Sequence, residues 1–126
     1  MTTAAQPSPL TFERFWRWLL EHNNCVLRVG APDATLFDHE DLHWDFFEDD
    51  EGVAVIQLVR GKVLVGELLI EKSKVALVQP QLDPENTTNG QWTFEVIGAD
   101  QSGFRGVYFL MAHGLDSPQG HQELKH

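Results

Sequence analysis

Val53-Ala54-Val55-Ile56-Gln57-Leu58-Val59-Arg60-Gly61-Lys62-Val63-Leu64-Val65-Gly66-Glu67-Leu68-Leu69-Ile70 is the stretch whose reading decides the fold. It consists of two apolar runs of strand length on either side of Arg60-Gly61-Lys62. Gln57, Arg60, Gly61, Lys62, Gly66 and Glu67 break it far short of the roughly 20 apolar residues that a membrane-spanning helix needs. Val and Ile favour strands, and Gly61 is placed to take the positive φ of a tight turn. The spacing therefore predicts a β-hairpin. Its first run, 53–59, is almost continuously apolar, as expected of a strand covered on both faces, one of them by a helix. Gly66 predicts a bulge or a close backbone approach in the second run.

Upstream the period is helical. Phe12, Phe15, Trp16 and Leu19 fall at i, i+3, i+4 and i+7, and Glu13 and Arg17 share another face in the favourable i, i+4 order. Ser8-Pro9 reads as a cap followed by a first-turn proline, and Asn23-Asn24 as a stop, so an amphipathic helix is expected over 9–22. Past it the period falls to 2. Strands are expected at 25–29, at 42–46, at 75–79 before Pro80, at 92–96 and at 107–112, with 33–41 open between strand and helical turn. Residues 48–52 are a turn, and 81–91 and 98–106 are loops.

One helix and six or seven strands with mostly short links make an α+β domain. The expectation is an N-terminal helix packed on a largely sequential antiparallel sheet, an open curved sheet being favoured over a closed barrel. Residues 9–113 form the single domain, 1–8 a disordered leader and 114–126 a polar tail. Cys25, the sole cysteine, excludes an internal disulfide and reads as a buried, inert thiol. No signal-peptide pattern opens the chain, so a cytoplasmic protein with no membrane partner is expected.

Charge is the most specific feature. The 126 residues carry 19 acids and 9 bases, a formal net charge of −10. Nine of the acids lie between Asp33 and Glu51, with no Lys or Arg among them: Asp33, Asp38, Glu40, Asp41, Asp45, Glu48, Asp49, Asp50 and Glu51. The rest of the chain holds ten acids against nine bases and is nearly neutral. Without a basic patch the chain is not expected to bind nucleic acid. A concentrated negative field instead steers basic partners.

Catalytic patterns are sparse. Asp38-His39-Glu40-Asp41-Leu42-His43 contains the bare His-Glu-x-x-His spelling of zinc hydrolases, which needs a helix to bring His39 and His43 together and a third ligand, for which His113 or Asp38 is available. On a strand the two histidines stand about 13 Å apart, too far to share an ion. Trp44-Asp45-Phe46 just after reads as strand. Ser102 lacks a nucleophile elbow, and no phosphate-binding glycine loop occurs.

The leading expectation is a non-enzymatic interaction module without a cofactor. It presents an acidic face made of Asp38, Glu40, Asp41, Asp45, Glu48, Asp49, Asp50 and Glu51 to a basic protein. Trp18, Phe47 and Phe104, which fall out of phase with the core pattern, are expected to flank that face. The alternatives are a metal-dependent enzyme using His39, Glu40, His43 and His113, and a small-molecule carrier with a pocket between helix and sheet. A homodimer through the edge strand 75–79 is a further expectation.

Overall fold

The computed structural model describes residues 7–82, 90–101, 103, 104 and 106–114. Its one α-helix, α1 (Phe12–Glu21), starts three residues later than Ser8-Pro9 implies. Thr11 is the cap: its side chain accepts a hydrogen bond from the Arg14 amide at 3.1 Å. Residues 7–10 lie extended instead, and Leu10 exchanges two backbone hydrogen bonds with Val78, of 2.8 and 2.9 Å. Of the expected leader 1–8 only Pro7 and Ser8 are described, and the Pro7 carbonyl accepts from Gln79 Nε2 at 2.9 Å; residues 1–6 lie outside the described residues. The helix ends at His22, and a 3-10 turn over Asn23–Cys25 takes the place of the first strand residue.

Eight strands follow: β1 (Val26–Ala31), β2 (Ala34–Phe37), β3 (His43–Glu48), β4 (Val53–Arg60), β5 (Val63–Glu71), β6 (Val75–Leu82), β7 (Trp92–Gly98) and β8 (Val107–Met111). All pairings are antiparallel. The α+β class and the open sheets agree with the sequence pattern. The single sheet does not: the strands form a five-stranded sheet in the order β2-β1-β8-β7-β6 and a three-stranded sheet β3-β4-β5. Turn chemistry shows where strands end, but not that β8 returns to pair with β1, or that the short turn after β5 carries the chain to the other sheet.

The expected hairpin is β4–β5, with Gly61 at φ 60° in its turn. Both readings of Gly66 hold. The register slips between Leu58 and Val59, which leaves an extra residue in β5, and a Cβ on Gly66 would stand 2.5 Å from Leu36 Cδ2 of β2. Pro80, expected to end its strand, sits inside β6 opposite Phe94. An edge strand tolerates a missing amide, and β6 is an edge.

One hydrophobic cluster joins the helix to both sheets. Phe15 stacks on Phe94 of β7 at 5.3 Å and meets Phe109 of β8 edge-on at 5.1 Å, while Trp16 reaches Phe46 of β3 at 5.9 Å. Trp44 Nε1 donates to the Val26 carbonyl at 3.1 Å, so the one polar atom of that buried ring is satisfied by the opposite sheet. Each of these side chains contributes about 1.5–3 kcal/mol through burial. Rings of the helix thus meet rings of both sheets in the region where the carrier alternative puts its pocket.

Candidate functional site

The three-stranded sheet has one face in the core and one in solvent. Trp44 and Phe46 of β3, Ala54, Ile56 and Leu58 of β4, and Ile70 of β5 point inward and are buried. Strand alternation then sends His43, Asp45, Phe47, Val55, Gln57, Leu69 and Glu67 outward. The register sorts them into rows. Phe47, Val55 and Leu69 stand side by side, then Asp45, Gln57 and Glu67, then His43, Val59 and Leu64. The first row is apolar although it faces water: Phe47 is 40% and Leu69 58% exposed, with Val55 shielded between them. The second row is polar, with Gln57 donating to Glu67 at 2.8 Å.

All nine acids of 33–51 are exposed. They are not one contiguous patch. Asp38, Glu40 and Asp41 precede β3, Asp45 stands on its outer face, and Glu48 to Glu51 lie at its far end, about 17 Å along the strand at ~3.4 Å per residue. The expected acidic face is therefore an acidic rim at two ends of the outer sheet face, with Asp45 and Glu67 between. In the β3–β4 turn, Asp49 Oδ1 accepts from the amides of Glu51 and Val53 at 2.8 and 3.0 Å, so this carboxylate also shapes the turn.

Lys72, just after β5, donates to Glu13 of the helix at 2.8 Å and to Glu48 at 2.9 Å. It clasps the helix to the end of the three-stranded sheet and neutralises part of the rim. The hydrogen bond and charge of Lys72 hold the Glu13 carboxyl below its ordinary value, and its bonds to Glu13 and Glu48 raise Lys72 above its own. Burial raises the Cys25 thiol, consistent with an unreactive side chain.

Of the three aromatic side chains expected beside the acids, Phe47 stands in the outer apolar row and Phe104 lines a cleft beside β5 together with Asp33 and Glu71. Trp18 packs in a separate aromatic group, 4.9 Å from the His22 ring, 5.2 Å from Phe94 and 6.1 Å from His113. A residue a quarter-turn off the main stripe is still half-buried, because it packs against the Phe94 ring of β7. Phe104 is half-buried and lies so close to Gly98 that a Cβ there would come within 2.5 Å of it.

The metal alternative required a helix through His39 and His43. His39 instead sits in a turn, with its Nδ1 accepting from the Asp41 amide at 3.1 Å, and His43 opens β3. His113 stands far from both in chain and company, its ring 5.6 Å from that of His22. Among the described residues no three His, Cys, Asp or Glu side chains converge on a metal-sized site. Ser102 lies outside the described residues. No described helix is long and apolar enough to cross a membrane.

What the sequence pattern did not mark is the exposure of β5. Val63, Leu64, Val65 and Leu69 are all exposed, and β5 is the edge of its sheet. A cleft of about 450 Å3 runs along that edge, between β5 and the β1–β2 turn; Pro32, Val53, Leu68, Leu69, Phe104 and Val107 line it. The interruption Gly66-Glu67 is the only signal in the sequence that the second run of the hairpin differs from the first. Comparison with family models, curated proteins and solved structures found no match.

Proposed function

We propose that this protein is an interaction module that binds a basic protein partner on the outer face of the β3–β4–β5 sheet. The observation that carries the reading is the juxtaposition on that face of an apolar row, with Phe47 and Leu69 exposed on either side of shielded Val55, and exposed acids at both ends of β3 and across its middle. Apolar contact area with a charged surround is the anatomy of a protein interface, and the surround supplies steering and selectivity. The even charge balance elsewhere in the chain makes this the dominant field of the molecule.

The metal and carrier alternatives find no comparable support. His43 opens a strand and not a helix shared with His39, and Phe15 and Trp16 of the helix pack directly on rings of the two sheets.

Affinity capture from the source cells at low and high ionic strength tests the reading. Wild-type protein is expected to retain a basic partner at low salt. The triple variant D49K/D50K/E51K and the single variant L69K are each expected to lose it. Retention of the same proteins by all three, without salt dependence, overturns the proposal.

A further inference from the structure

Among the described residues the two sheets have four edge strands, and three of them are protected. The β6 edge is occupied where Leu10 bridges to Val78, and Gln79 Nε2 reaches the Pro7 carbonyl at 2.9 Å. β2 has four residues. β3 carries Asp45 and Glu48, charged side chains of the kind that blunt an edge. β5 has nine residues with no proline and no lysine, and beside Glu67 and Glu71 it exposes Val63, Leu64, Val65 and Leu69, Val63 at its start by 65%. A long apolar edge with unpaired amides and carbonyls is a template for another strand.

Building on the proposed binding of a basic protein, we infer that the partner contributes an extended segment that adds to β5 as a fourth strand. The extra residue between Gly66 and Leu64 breaks the regular edge, so the new ladder runs along Gly66–Glu71. On the outer face this stretch presents Glu67, Leu69 and Glu71; toward the other side it presents Gly66, Leu68 and Ile70. The cleft along the β5 edge gives the segment's second face an apolar wall, with Leu68 on one side and Pro32 and Phe104 on the other. Leu36, seated over Gly66, closes the ladder at one end.

The chemistry of the occupant follows from cross-strand pairing. Residues opposite Glu67 and Glu71 are Lys or Arg, and those opposite Leu69 and on the cleft side are apolar. Lys74 already holds Glu71 at 2.9 Å, an exposed pair that an incoming cation can replace or share. A second copy of this chain is the poorer occupant: it would bring the same glutamates and a net charge of −10 to the same edge.

The test uses the full chain and the peptide acetyl-Thr-Lys-Val-Leu-Val-Lys-Thr-amide, with two controls N-methylated at alternate residues in opposite phases. N-methylation removes one edge of hydrogen-bond donors and leaves charge and side chains in place. The parent peptide and one control are expected to bind, and the other control to fail. Binding is expected to slow amide exchange over Gly66–Glu71 about tenfold. L69K, altered at an exposed position, is expected to keep its melting temperature and bind about fivefold more weakly. Equal binding of both controls overturns strand addition and leaves the acidic docking face standing. No binding of any of the peptides at low ionic strength overturns both. A dimer of the protein alone, with β5 amides already protected, overturns the basic segment in favour of a second copy.

Discussion

β6 and β5 are both long edge strands, of eight and nine residues, and they meet solvent in opposite ways. β6 has the helix behind it and the Pro7–Leu10 segment along its rim, and its interior residues Val78 and Pro80 are buried. β5 has the core behind only one face and a cleft along its rim. The difference lies in what the chain spends on each. A few N-terminal residues close the first edge, and nothing among the described residues closes the second. An edge left open in a molecule that closes another is the physical basis for the proposal that a partner binds the three-stranded sheet.

The largest expected effect separates the two sides of the molecule. Phe15→Ala removes the ring stacked between Phe94 and Phe109 and is expected to cost about 3–5 kcal/mol, whereas Leu69→Ala on the open face is expected to stay within about 1 kcal/mol. Chemical denaturation of the two variants checks the contrast; comparable losses would mean that the outer face is part of the core.

The closed edge is broken next. Leu10 is buried and bridges Val78, so Leu10→Ala is expected to cost about 2 kcal/mol, the low end for a large-to-small core change. Removing residues 1–10 frees β6 and is expected to produce concentration-dependent self-association in sedimentation. That outcome would produce, in the truncated chain, the expected pairing through 75–79, an edge that Leu10 occupies at Val78 in the full one. A monomeric truncated protein would show that Pro80 suffices to protect the edge.

The smallest effect concerns the clasp between the two regions. Lys72→Met breaks its bonds to Glu13 and Glu48 and is expected to cost no more than about 1 kcal/mol, since both pairs are solvent-screened. Its pH dependence has a definite sign. The lowered Glu13 carboxyl adds stability above the ordinary carboxylate range, and that contribution fades as pH falls through its lowered value. The raised Lys72 adds stability below the ordinary lysine range, and that contribution fades as pH rises through its raised value. The difference in melting temperature between wild type and variant is therefore expected to be widest near neutral pH and to narrow toward both extremes. A constant difference across pH would assign the loss to packing of the lysine stem.

The helix stripe, the β4–β5 hairpin, its Gly61 turn and the irregularity at Gly66 were all legible because each rests on local geometry: a period, a turn dihedral, a missing side chain. Thr11 was hidden as the cap behind the stronger Ser8-Pro9 signal, because only pairing with β6 draws residues 7–10 out of the helix. Of the candidate surface, the acids and Phe47 were legible as charge and as a break in alternation. Trp18 was legible as out of phase with the helix stripe, but not its packing against Phe94 and His113, because phase on one element says nothing about contacts with another.

The sequence by itself determined an antiparallel α+β protein with one aromatic helix face and a charge confined to residues 33–51. Only the tertiary structure decided that the strands divide into sheets of five and three, that the acids separate to two ends of β3, and that β5 is left as an open edge. The reason is that alternation shows whether a strand has a buried face, whereas the identity of its lateral neighbour depends on contacts between residues far apart in the chain, which no local pattern encodes.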